Sequence, residues 1–216
     1  MSQPGFYGKL ASRGDFVSRD LPQGFIQRWD CWLAAGLRRS QAQMGERWLD
    51  AYLVSPLWRF VLAPGVCGDE PMAGVIMPSV DCVGRYFPLT VAQPLAPDCD
   101  LVSLVAGPQT WFEGIEQALL DTLQPDASPE HLCRALELLP GLDCANAMPD
   151  AETAGMRRSA ADTPEMRRAT LAQWGCKGAS LWWGDGSEQM GAALLRCLGL
   201  PPEQVFTEFL QAPGAL

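Results

Sequence analysis

The chain has 216 residues, of which 48% are hydrophobic and 19% charged. These values bound it as a globular protein, read as a single domain over residues 1–216, and exclude wholesale disorder. Sixteen basic against 25 acidic residues leave a net charge of −9, so the attraction that dominates binding to nucleic acid or an anionic membrane would be repulsive overall.

The opening MSQPGFYGKLASRGDF lacks the apolar core of a signal peptide. No run approaches the ~18 uninterrupted apolar residues that a membrane span needs, so a cytoplasmic location without membrane insertion is expected. From Phe25 to Tyr52, apolar residues including Trp29, Trp32, Leu33 and Leu37 recur at three- and four-residue steps. That spacing predicts a helix with a break near Ser40 or Gly45. Three strand-like runs follow at 57–64, 72–80 and 87–95. Their connections are much shorter than a helical crossover requires, so an antiparallel meander is predicted, its continuous hydrophobicity implying cover on both faces.

Helices are predicted from Thr110 to Leu123 and after Ser128, where Pro129 suits the first helical position and Pro140 lies past the end. Residues 141–170 show little periodicity and read as a long loop carrying two arginine doublets, Arg157–Arg158 and Arg167–Arg168. ASLWWGD (179–185) reads as a last strand closed by an Asp–Gly turn, and 190–198 and 202–210 as short helices. The fold class is therefore α/β: a three-layer α/β/α sandwich with a mostly antiparallel (mixed) central sheet.

The eight cysteines stand singly, without a CxxC pair, and only His131 could complete a mixed metal site. Their spacing supports neither zinc nor disulfides, so reduced thiols are expected, several acting as small buried hydrophobes. There is no GxSxG elbow, and His131 sits within a predicted amphipathic helix. Neither GxGxxG nor a P-loop occurs, and GCKG (175–178) and GDGS (184–187) read as turns. The arginine doublets could meet a phosphate or an acidic partner, or be a solvated loop. No cofactor or metal is implied. The tripeptide RGD at 13–15 is discounted as an adhesion motif, because the chain is not expected to be secreted.

Two stretches remain unusually dense in special residues: GFYGKLASRGDFVSRDLP (5–22) and MPSVDCVGRYFPLT (77–90). Buried Arg–Asp pairing would explain such mixtures, and so would an exposed docking face. These stretches, with WDCWLAAGL and SPLWRFVL, closely resemble the TagF family of type VI secretion-associated proteins. The resemblance runs from about Gly5 to Leu95 and resumes at SLWWGDG (180–186). Departures are Ala11, where the family commonly has proline, and Met72 and Cys82 in place of an expected tryptophan and basic residue. The resemblance implies a three-layer α/β/α fold and a cytoplasmic, non-enzymatic repressor of the secretion apparatus. It implies action after translation, through the apparatus's forkhead-associated scaffold protein.

On this reading the expected contact face comprises Lys9, Arg13, Asp15 and Arg19, with Asp81 and Arg85 partly facing it. A second expectation, from another class, is an enzyme or ligand pocket built from Ser12, Asp15, Asp81 and Arg85. A third is that the opening stretch only pins the N-terminus over the sheet, the binding surface lying elsewhere, as at 141–170.

Overall fold

A computed structural model describes residues 3–211. Its centre is a seven-stranded sheet. In chain order the strands are β1 (Gly5–Gly8), β2 (Val17–Arg19), β3 (Trp58–Leu62), β4 (Met72–Met77), β5 (Leu89–Pro94), β8 (Ala179–Gly184) and β9 (Ala193–Leu198). They lie side by side as β2-β1-β5-β4-β3-β8-β9, and every neighbouring pair is antiparallel. The central meander β3–β4–β5 follows directly from the short proline- and glycine-bearing connections, which leave no room for a crossover.

Alternation along each strand feeds two cores. Trp58, Phe60 and Leu62 of β3 and Trp182 of β8 face one side, where helix α1 (Gln23–Met44) and α2 (Trp48–Leu53) pack with a 3-10 helix at Glu203–Phe209. Trp29, Trp32, Phe60, Trp182 and Phe209 meet there as a continuous aromatic cluster, with ring centroids 4.8–6.3 Å apart. Val61, Val75, Leu89 and Val91 face the other side. That side is covered by α3 (Leu101–Ala106), α4 (Thr110–Asp121), α5 (Pro129–Glu137) and α6 (Pro164–Cys176). Both faces of the central strands are thus dry, and the three-layer α/β/α arrangement agrees with the sequence reading.

Local chemistry accounts for most boundaries. The first helix ends at Gly45, whose φ of 57° suits glycine, and a 3-10 turn at Gly45–Arg47 separates it from α2. Ser128 caps α5 through its side chain, accepting from the His131 N–H, with Pro129 in the first turn.

Four expectations need correction. The opening stretch is not only a lead-in to the first helix: β1 and β2 form a hairpin on one flank of the sheet. The 141–170 segment is not a bare loop. It holds an exposed hairpin of β6 (Asp150–Thr153) and β7 (Met156–Ser159), then α6, capped by Thr163 accepting from the Met166 N–H. The leucine-rich run at 190–198 is a strand rather than a helix. Its alternate residues Ala193 and Leu195 pack on the aromatic core while β9 pairs along all of β8, so tertiary pairing overrides local helix preference. Finally, Cys99 and Cys144 form a disulfide, with Cα atoms 5.7 Å apart across a separation of 45 residues. Backbone bonds from Asp100 N–H to the Ala145 carbonyl and from Ala147 N–H to the Asp98 carbonyl draw these segments together, which no spacing rule anticipates. Among the described residues no cluster of His, Cys, Asp or Glu suits a metal ion, and no helix is long and apolar enough to cross a membrane.

Candidate functional site

The two dense stretches meet at one end of the sheet. β4 delivers the chain into Pro78–Phe87 as it leaves the sheet, and β1 delivers Lys9 to the same place, because β1 and β4 both flank β5. A backbone hydrogen bond from the Cys82 N–H to the Arg13 carbonyl, 3.1 Å long, ties the two loops together.

Asp81 is the node between them. Its side chain is fully buried. One oxygen accepts from the backbone N–H groups of Val83 and Arg85 at 3.0 and 2.9 Å, and the other from Lys9 Nζ at 2.9 Å and Arg85 Nε at 2.7 Å. Burial pushes the carboxyl upward, but these four donors outweigh it and hold Asp81 well below the usual carboxylate range. Lys9 also donates to the Gly14 carbonyl at 3.0 Å, and its ammonium sits 4.4 Å from the centre of the Phe16 ring. Arg85 reaches the same carbonyl through Nη2. A buried lysine–aspartate pair is stable only when its remaining hydrogen-bonding capacity is met, and here the Gly14 carbonyl and two loop amides meet it.

A second layer fixes the node to the core. Ser79 Oγ donates to the Lys9 carbonyl at 2.8 Å, while the Tyr52 hydroxyl donates to the Ser79 carbonyl and accepts from its N–H. Phe16 stacks on Tyr7 and meets Phe87 edge-on. The Tyr7 hydroxyl donates to Asp30 at 2.6 Å, and burial together with that contact pushes the phenol above its ordinary value.

The six expected site residues therefore divide. Lys9 and Asp81 are buried structural charges, not surface contacts. Arg13, Asp15, Arg19 and Arg85 are exposed. Arg13 reaches Glu130 at 3.7 Å, with both side chains more than half exposed, a contact worth little to stability. Glu130 is held below its ordinary value first by its own backbone N–H, then by Ser128, Arg13 and Arg19. This places the charges of Arg13 and Arg19 beside the start of α5. The pocket expected from Ser12, Asp15, Asp81 and Arg85 does not assemble: Ser12 and Asp15 are exposed while Asp81 is buried. The cavities of about 410, 210 and 480 Å³ are lined by other residues.

Three members of the arrangement were missed in the sequence. Ser79 lies inside the second motif and Phe16 inside the first, so both could have been suspected; Tyr52 carries no local signal beyond an apolar pattern. Arg59 was also passed over, hidden in the strand run LWRFVL. It is buried on the α4 side, where it forms a two-pronged pair with Glu116 at 2.7 Å and reaches Asp185 and Gln109. The Glu116 hydrogen bonds raise its pKa against the opposing effect of burial.

Sheet order, the buried node and the two motif loops define an α/β/α domain built on a seven-stranded antiparallel sheet, with its N-terminal hairpin tied to the loop after β4. A model of the TagF N-terminal domain, described as type VI secretion system-associated, matches residues 5–139. The chain belongs to the TagF family. PA0076 from Pseudomonas aeruginosa PAO1, solved as a crystal structure at 2.05 Å, is 52% identical to it. The superposition covers 99% of this chain and 96% of that one, with a TM-score of 0.92. No curated protein matches the chain.

Proposed function

We propose that this protein is a non-enzymatic, post-translational repressor of type VI secretion system assembly or activity, working in the cytoplasm through contact with the forkhead-associated scaffold protein. One observation carries the reading. The buried node holds two loops in fixed register and presents Arg13, Asp15, Val83 and Arg85 outward from them, and Val83 is two-thirds exposed. Arg13, Asp15 and Val83 do little for the fold, yet the Asp81 charge cluster is spent on positioning the loops that carry them. A rigid, arginine-bearing loop pair of this kind suits protein recognition, because pre-ordered loops lose little entropy on binding. Membership of a secretion-associated family supplies the context.

Co-purification from the native cytosol under mild conditions tests this. Recovery of the forkhead-associated scaffold supports the proposal; a preparation that reproducibly carries a bound metabolite and no scaffold counts against it.

A further inference from the structure

The sheet has two edge strands, β2 and β9. β2 is only three residues long, whereas β9 offers six, paired along their whole length with β8 and free of bulges and proline. Proteins ordinarily shorten, kink, charge or cover such an edge, because it templates the addition of another strand.

The ladder shows which residues of β9 face outward. The Gly199 N–H donates to the Gly178 carbonyl, while the Ala179 carbonyl accepts from Ala63 on the β3 side. Alternate residues of an antiparallel strand turn their backbone groups to opposite neighbours. Ala193, Leu195 and Cys197 therefore bond to β8. Leu194, Arg196 and Leu198 turn their N–H and C=O groups to the open edge, where none meets a partner among the described residues.

The same three residues also expose their side chains. Leu194 and Leu198 are 60% and 73% exposed, with Arg196 between them on the face that α6 shares. Leu171 of α6, 64% exposed, extends this apolar strip, one helical turn before Gly175. Arg196 does not guard the edge. Its Nε donates to the Gly175 carbonyl at 2.7 Å, which holds the guanidinium against the end of α6. No carboxylate pairs with it among the described residues.

These features define an occupant. Only an extended chain repeats donors and acceptors at the spacing of alternate strand residues, about 6.8 Å. Side chains directly opposite one another share a face, so the added strand would set apolar residues against Leu194 and Leu198 and a carboxylate against Arg196. A second copy of this chain fits less well. Two β9 strands aligned with Leu194 opposite Leu198 oppose their two Arg196 side chains, and sliding by two residues sets Arg196 against Leu194. Each copy also carries a net charge of −9.

We propose that β9 is a strand-addition site that takes, antiparallel, an extended segment of a partner protein reading apolar–x–acidic–x–apolar, with the acidic side chain opposite Arg196. β9 and the β1–β2 hairpin lie on opposite flanks of the sheet, so this site is independent of the scaffold contact at the node.

The full-length protein, 15N-labelled, is titrated with the peptide acetyl-TVTETVT-amide. In the free protein the Leu194, Arg196 and Leu198 amides should exchange fast and those of Leu195 and Cys197 slowly. The peptide should shift these resonances saturably and slow exchange at the three outer amides. Replacing the peptide glutamate by lysine, or making Arg196→Glu, should each weaken binding about fivefold, and combining the two should restore it. N-methylation of the peptide glutamate removes a ladder bond and should weaken binding about two- to tenfold. N-methylation of the adjacent threonine, whose N–H points away, should not. Absence of a saturable shift, equal binding of the lysine peptide, no recovery in the charge-swapped combination, or equal loss from either N-methylation would each overturn the proposal. The peptide variants decide the case alone should Arg196→Glu fail to fold. Dimerisation of the peptide-free protein, seen by light scattering and abolished by Leu194→Pro, would assign the edge to a second copy and overturn it as well.

Discussion

Lys9→Met removes the cation that joins the two motif loops while keeping most of the stem's apolar volume. The substitution deletes hydrogen bonds to the Asp81 carboxylate and the Gly14 carbonyl, and the ammonium contact with Phe16. Asp81 is not orphaned, since Arg85 and two backbone N–H groups remain on it. The loss should therefore fall at the low end of the range for breaking a buried pair, about 3 kcal/mol. For a chain of this length each kcal/mol moves the midpoint by about 2–4 °C, so the thermal melt should drop by roughly 6–12 °C. Urea denaturation followed by tryptophan fluorescence, alongside calorimetry, measures both quantities. A melt within experimental scatter of wild type would refute the reasoning, because it would mean that the buried pair contributes nothing over a well-packed apolar side chain.

Other outcomes follow from the same geometry. The Asp81 carboxyl is depressed in the folded state, so its stabilising contribution is complete above about pH 4, the ordinary unfolded value, and is lost as pH falls further toward the folded one. Asp81→Asn should flatten that acid limb of stability; an unchanged limb would assign it to Glu130 and Asp150, which are depressed too. Reducing the Cys99–Cys144 bond, or making Cys144→Ser, opens a loop of 45-residue separation and should cost about 2–4 kcal/mol in urea unfolding. Superimposable curves with and without reductant would contradict a stabilising role for this disulfide.

How far the sequence could be read depended on the kind of signal. The meander was legible because β3, β4 and β5 combine continuous apolar runs with connections too short for any alternative. The Ser128–Pro129 helix start was legible because capping is written in adjacent residues. β1 and β2 escaped because their four and three residues carry too few positions for periodicity to show, and their pairing partners come from β5 and from each other. β9 escaped because leucine and alanine fit a helix as well as a strand, and only β8 selects between them. In the site, the residue types were visible but their depth was not: Lys9 and Asp81 are 72 positions apart, and their mutual burial is a property of the assembled sheet. The same charged motif thus resolved into both alternatives at once, a buried clamp in Lys9 and Asp81 and an exposed face in Arg13, Asp15 and Arg19.

The central claim is that the exposed part of this motif recognises a protein partner while the buried part only holds it in place. The affinity of purified protein for the forkhead-associated scaffold, measured by calorimetry for wild type and for the double variant Arg13→Ala/Asp15→Ala, tests this most directly. The Arg13–Glu130 pair is exposed and Asp15 makes no ion pair among the described residues, so the variant should melt within a few degrees of wild type. It should bind at least about tenfold more weakly, as the loss of an interface anchor requires. Undiminished affinity in a fully folded double variant would contradict the account and move the contact surface elsewhere.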